Sequence, residues 1–444
     1  MPNAQCPMPN APSTQIKYRM FPTEPAAVNN GFGALLKNRG FMLLWIGQIV
    51  SQLADKVFFL MLVDLVVDKN SIYLPPLGVA KESMYPILMV AFTIPAVLFG
   101  SAGGVFVDRI PKKLIMVGSD ILRGLLVIGL AFLPRNFHIL FLITFGVSTI
   151  TQFFAPAEQA AIPLLVRREG LIAANALFTS TMMGALIVGF LLGDPLLSLA
   201  ETGIAKEYGP ELVVALLYLL SAVIMLPIHF REKKSASEAQ GDRIDLWADF
   251  KEGLRYLKKN RLVLNAMLQT TVLYCVFAAL MVLALPLAEK FGLQGKQSGR
   301  FIAAVGIGIV IGAGILGHLG DKTHHKPLPL IGFLGMAMIL ALVPFTNSQG
   351  VAIGLCILLG VSGSLIGVPM QTLIQQQTPP IMHGKVFGFQ NHAVNIALSA
   401  PLAITGWLNQ EFGLRIVLIA MSLVVAVVGV WTWRNTRNVL QDVL

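Results

Sequence analysis

The chain has 444 residues, 55% of them hydrophobic and 13% charged, with a mean hydropathy of +0.72 and a net charge of +10. Soluble globular proteins carry about 25% charged residues, and a chain this apolar cannot cover a water-facing surface of its size. Composition therefore excludes an ordinary soluble enzyme and makes lipid the main solvent, while bases placed in loops beside apolar stretches set topology rather than bind nucleic acid.

A helix needs about 20 apolar residues to cross the hydrocarbon core. In chain order, apolar stretches predict helices at 41–67, 84–107, 114–133, 138–165, 172–199, 211–230, 261–289, 298–319, 327–346, 349–376, 385–408 and 413–433. Residues 1–40 read as an N-terminal arm. Its first 30 or so are Pro/Asn-rich, expected to be disordered, and lack the basic-then-apolar order of a cleavable signal. The two six-helix halves, 41–230 and 261–433, flank a polar linker at 231–260, and 434–444 forms a tail. Within the linker, apolar residues at 246, 247, 250, 254 and 257 share one helical face. That pattern predicts an amphipathic helix lying at the membrane interface. The face holding both termini and the linker collects most of the 33 Lys and Arg residues, so both termini are expected in the cytoplasm. Cys6, Cys275 and Cys356 have neither metal-site nor disulfide-framework spacing and read as packing residues.

The halves show signs of duplication. Gly104-Val-Phe-Val-Asp108-Arg109-Ile-Pro111-Lys112-Lys113 lies between the second and third helices. Gly317-His-Leu-Gly-Asp321-Lys322 repeats its Gly-to-Asp spacing about half a chain later. At the same offset Pro156 aligns with Pro369. The glycine lets two helices approach closely, and an Asp is favoured beside a helix N-terminus.

Polar residues inside apolar spans are costly and usually functional. Gln48, Gln52 and Asp55 follow helical spacing in the first helix and are expected to face a wet cavity. Desolvation favours the neutral form of a carboxyl, which suits a proton carrier. The alternative makes Asp55 a structural partner of a base such as Lys56, although adjacent residues point about 100° apart on a helix. Asp120 and Arg123, at i and i+3, can form a structural pair or relay the state of the loop. Glu158 can serve coupling or latching, or snorkel to the nearby interface. Asn265 and Gln269, Gln371 and Gln375, and Asn391 and Asn395 each sit at i,i+4 spacing and read either as helix glue or as substrate path. His324 and His325 read as solvated loop residues; no metal site and no cofactor are expected.

These residues resemble the major facilitator superfamily. Its signature between the second and third helices is matched here by Gly104, Asp108, Arg109, Lys112 and Lys113, with Pro111 in place of a second glycine. The first half is most similar to the drug-and-siderophore export branch, which includes enterobactin and macrolide exporters. The similarity lies in Gly47-Gln48, Ser51-Gln52-Leu-Ala-Asp55, Ser119-Asp120-Ile-Leu-Arg123, Phe154-Ala-Pro156-Ala157-Glu158 and Ala174-Asn175, with Ala54 where a glycine is common. The resemblance implies an all-α integral membrane protein of twelve helices. It also implies that Gly104, Asp108, Arg109, Lys112, Lys113, Gly317 and Asp321 form a conformational latch, with Asp108 against the helix starting near His383-Gly384-Lys385.

The function implied is a multi-pass carrier of the cytoplasmic membrane that exports a small amphiphile by proton antiport, working as a monomer among membrane lipids. Lysophospholipid transport is the alternative within the class, and a membrane enzyme or non-transporting receptor the alternative outside it. The sequence contains no Walker A, Gly-x-Ser-x-Gly or His-Glu-x-x-His motif.

Overall fold

In hydrocarbon every backbone N–H and C=O must find a partner within its own segment, so apolar stretches of this length fold as helices. The computed structural model of the protein describes residues 32–67, 84–202, 208–229, 246–293, 298–319 and 327–441. A short helix α1 (Phe32–Leu36) precedes α2 (Arg39–Val67), α3 (Met84–Arg109), α4 (Lys112–Phe132), α5 (Phe137–Leu165), α6 (Leu171–Thr202) and α7 (Gly209–Met225). The linker helix α8 (Leu246–Lys259) leads into α9 (Arg261–Lys290), α10 (Gly299–Leu319), α11 (Leu328–Leu342) and α12 (Gln349–Gln377). A continuous run from His383 to Gln441 is broken at Gly413, whose φ of 77° no helix interior adopts. It forms α13 (383–412) and α14 (414–441).

Among the described residues nine helices are long and apolar enough to cross a membrane. The shorter α7 and the more polar α2 and α13 complete twelve. Leu98, Leu122, Leu142, Leu220 and Val427 point outward uncovered, as lipid-facing positions do. Pro156 and Pro369 both lie inside helices, in α5 and α12.

Several expectations need adjustment. The expected tail from 434 continues as helix through Gln441. The expected interfacial helix spans Leu246–Lys259, but it does not simply float on lipid. Leu257 and Asp249 are buried while Trp247 is exposed, and α8 packs on α3, α9 and α13. Residues 1–31, the 231–245 part of the linker, Asp321, Lys322, His324 and His325 lie outside the described residues.

The halves meet along α3 against α13 and α6 against α10. At the end of the bundle carrying α8, called here the linker face, α3 and α13 touch through glycines. A Cβ on Gly104 would strike the Gly384 carbonyl and the Gly388 backbone, and one on Gly388 would strike Gly104. Backbone meeting backbone cannot move aside. Gly388→Ala should therefore lower the thermal unfolding midpoint, overpacking costing about 1–3 kcal/mol. Gly118→Ala, at a helical site with open space around it, should be neutral or stabilising by up to about 1 kcal/mol. Equal midpoints for the two variants in detergent would contradict this crossing.

Candidate functional site

The linker face is sealed by polar contacts between the halves. Asp108 sits at the end of α3, and its carboxylate accepts the Gly384 N–H at 2.5 Å and the Lys385 N–H at 2.8 Å. These are unpaired donors of the first turn of α13, where the helix dipole favours a negative charge. Arg109 pairs with Asp249 of α8. The same Asp249 lies 2.9 Å from the Lys385 ammonium, which also reaches Glu252 at 2.6 Å. The linker helix thus ties α3 to α13 through one carboxylate. The Phe250 ring packs at a tilt against Phe389, with centroids 4.9 Å apart. Lys112 and Lys113 open α4 beside this seal. In the second half, Gly317 packs on the Phe32 ring.

Amides extend the seal. Asn175 of α6 donates to Thr372 at 3.0 Å and Gln375 at 2.7 Å. Gln371 donates to Gln159 at 3.3 Å and accepts from Gln390 at 2.5 Å. Gln152 of α5 accepts from Asn391 at 2.9 Å and Asn395 at 3.2 Å. Such bonds between helices contribute roughly 0.6 kcal/mol each, up to about 2, so several small terms rather than one hold this face closed.

Deeper in the first half lies a cluster of buried charge. Arg123 is completely enclosed. It pairs with Asp120, donates to Ser51 at 3.1 Å, and reaches Asp55 at 3.1 Å. Its guanidinium lies over the rings of Phe154 at 4.5 Å and Tyr218 at 4.7 Å, a favourable cation–π arrangement. The two carboxylates differ. Asp120 is fully buried and also accepts from Ser221 at 2.6 Å and Ser51 at 3.2 Å. Asp55 accepts from the Tyr218 hydroxyl at 2.7 Å, but its side chain is 22% exposed. Glu158, in the charged neighbourhood of Asp120, Arg123 and Asp55, is buried with one carboxyl oxygen lacking a hydrogen-bond partner.

Between the halves, beyond the seal and toward the opposite face, lies a cavity of about 920 Å³. Met182, Met183, Phe277, Leu280 and Met281 typify its apolar lining. Gln52 and Lys56 bring polarity from α2. A lysine in mid-membrane costs about 2.5–3.5 kcal/mol on insertion scales.

The sequence expectations divide accordingly. Asp55 is partnered by Arg123 and Tyr218, not by Lys56, because the two neighbours project from different sides of α2. Glu158 does not snorkel; Pro156 and Glu158 lie within α5, inside the packed half. Of the amides expected on a substrate path, Gln52 borders the main cavity. Gln48 is buried with an unpaired carbonyl oxygen. Asn265 accepts from Asn435 at 3.2 Å, and Gln269 borders a separate cavity of about 160 Å³ near Gln376. Gln371, Gln375, Asn391 and Asn395 belong to the seal. Sequence reasoning missed Lys56 as a cavity residue. It also missed Ser51, Tyr218 and Ser221 around the charges, and Gln152, Asp249 and Glu252 in the seal. An i−4 step from Lys56 to Gln52 was the one available signal for the first of these.

Comparisons with known proteins agree with this architecture. The Major Facilitator Superfamily profile matches residues 44–401. The putative bacilysin exporter BacE of Bacillus subtilis is 28% identical over 321 residues, covering 70% of this chain and 76% of its own. The lysophospholipid transporter LplT of an Enterobacter species is 25% identical over 392 residues, covering 83% and 92%. Among solved structures, the transporter FucP, an E. coli fucose:proton symporter, superposes with a TM-score of 0.68 at 14% identity, covering 89% of this chain and 98% of its own.

The charge cluster makes a stability prediction. Arg123→Met strips two carboxylates of their buried counter-charge and should cost about 3–5 kcal/mol. Adding Asp120→Asn should recover part of that loss, whereas Asp55→Asn alone should cost far less because Asp55 has some access to open space. Denaturation midpoints of the purified variants check this, and wild-type stability for Arg123→Met would contradict it.

Proposed function

The chain belongs to the Major Facilitator Superfamily, and from that premise we propose that it exports a small amphiphilic compound across the cell membrane in exchange for protons, by alternating access. The observation that carries this reading is the cavity between the halves, closed toward the linker face and lined mostly by apolar side chains. A carrier needs a site that communicates with one side at a time. The base-rich linker face and both termini lie in the cytoplasm, so this state presents the cavity to the outside. The family makes the chain a membrane transporter. The names of BacE and LplT support, respectively, outward movement of a small product and handling of a single-chain lipid.

Asp55 is the proton carrier in this scheme. Its partial exposure lets it meet water, and its ion pair with Arg123 makes its charge matter to the side-chain bonds that tie α2 to α4. When the cavity faces outward, substrate leaves and Asp55 takes a proton. When the linker face opens, the proton is released to the cytoplasm and substrate enters. Asp120 remains a structural counter-charge. Three methionines in the lining can adapt to different apolar shapes, which suits a range of amphiphiles. The apolar lining favours a lysophospholipid as the second reading of the substrate.

Transport in sealed proteoliposomes under an imposed proton gradient tests the scheme. Wild-type protein should accumulate an amphiphilic probe uphill. Asp55→Asn should bind the probe, with affinity that no longer depends on pH, yet fail to concentrate it. Uphill transport by well-folded Asp55→Asn would remove Asp55 as carrier and move suspicion to Glu158. For orientation, a cysteine at Ser235 in a cysteine-free background should resist impermeant reagents applied to intact cells; strong labelling from outside would reverse the topology.

A further inference from the structure

We propose that the cavity selects an amphiphile carrying one anionic group, and that Lys56 pairs with that group. This deepens the exporter reading and rests on it for the claim that the bound compound is moved. Lys56 borders the cavity one helical turn beyond Gln52, from the same face of α2. At 1.5 Å per residue it stands about 25 Å along the helix from Arg39, well within the membrane and in its far half. Its stem lies against Gly189 of α6, where a Cβ would collide with the lysine Cβ and Cγ. A side chain at 189 would displace it.

Lys56 makes no ion pair or hydrogen bond among the described residues. Among the described residues no carboxylate borders the cavity. The sequence neighbour Asp55 is engaged by Arg123 and Tyr218 and points about 100° away. Among the described residues the cavity is thus an apolar chamber with one uncompensated cation and an amide beside it. In low dielectric such a cation attracts an anion and repels a cationic ligand far more strongly than in water. Phe277, Leu280 and the methionines would hold the apolar body, while Gln52 can donate to an oxygen of the anion. The competing view is that the long lysine stem snorkels its charge to the outer interface, leaving ligand charge irrelevant.

The test compares three fluorescent probes with one shared dansyl-undecyl chain, ending in a sulfonate, a hydroxyl or a trimethylammonium. Binding is measured to the full-length protein in nanodiscs. The sulfonate should bind wild type about tenfold tighter than the hydroxyl, equivalent to one favourable charge contact, and the ammonium weakest. The preference should shrink at high salt, a readout needing no variant. Lys56→Gln should abolish it, Lys56→Arg should keep it, and Lys56→Glu should turn it toward the ammonium. Competition by a single-chain glycerol phosphate lipid, set against competition by a short soluble arylsulfonate, tells whether the natural anion is a lipid or a water-soluble compound. Equal binding of sulfonate and hydroxyl to wild type overturns the proposal, as does no binding of any probe or a preference that survives Lys56→Gln. Charge-selective binding without gradient-driven movement in vesicles leaves the Lys56 assignment standing and removes the exporter reading; gradient-driven movement of sulfonate and hydroxyl at equal rates does the reverse.

Discussion

A carboxylate held against a helix N-terminus closes the linker face, and much else follows from the geometry that lets it get there. Asp108 can reach the free N–H groups of Gly384 and Lys385 because Gly104 and Gly388 allow α3 and α13 to touch backbone to backbone. The contact joins the two halves at one end only. With that end closed, the cavity between the halves lies toward the other. The linker helix reinforces the arrangement, because Asp249 faces Arg109 from one half and Lys385 from the other. Opening the linker face requires all of these contacts to be exchanged for water, which is available at the membrane surface. Individually they are modest, so the closed state can be left as well as held.

The buried charge cluster obeys a different constraint. It lies within one half, so rocking of the halves need not break it. Arg123 is a cation that cannot be discharged, enclosed with two carboxylates. Only one of the two retains access to open space. In the proposed scheme Asp120 is the fixed charge of this cluster and Asp55 the exchangeable one. Tyr218 donates to Asp55, and Ser51 accepts from Arg123. Proton exchange at Asp55 would alter how firmly α2 is held to α4, and α2 also supplies Gln52 and Lys56 to the cavity wall. The proposed scheme would put coupling and binding on adjacent turns of one helix.

The twelve helices were legible because span length is set by the bilayer and composition by lipid. The Gly104–Asp108 spacing was legible for a local reason: a tight turn beside a helix crossing admits few residue types. Partner choice was not legible. Spacing of i and i+4 placed Gln371 with Gln375, and Asn391 with Asn395, on common faces. It could not say that those faces would meet Asn175, Gln159 and Gln152 of the other half rather than a substrate. Nor could it separate Asp55 from Lys56, since sequence gives the angle between neighbours but not which side faces Arg123. Glu158 looked close enough to the interface to reach water; the packing of α5 against its neighbours buries it. The linker helix carried an apolar face suited to lipid, and the buried Asp249 on that helix, which decides where it docks, had no signature of its own.

The central claim is that Asp108 at the start of α13 sets which face of the protein is closed. Pulsed electron paramagnetic resonance on two spin-label pairs tests it directly. Labels at Glu169 and Gln377 report the linker face, and labels at His138 and Glu411 the opposite one. Wild-type protein should give a short, narrow distance distribution for the first pair. Asp108→Asn, which keeps the shape of the side chain but removes its charge, should add a longer population there and a shorter one at the opposite face. Unchanged distributions for both pairs in Asp108→Asn would contradict the account.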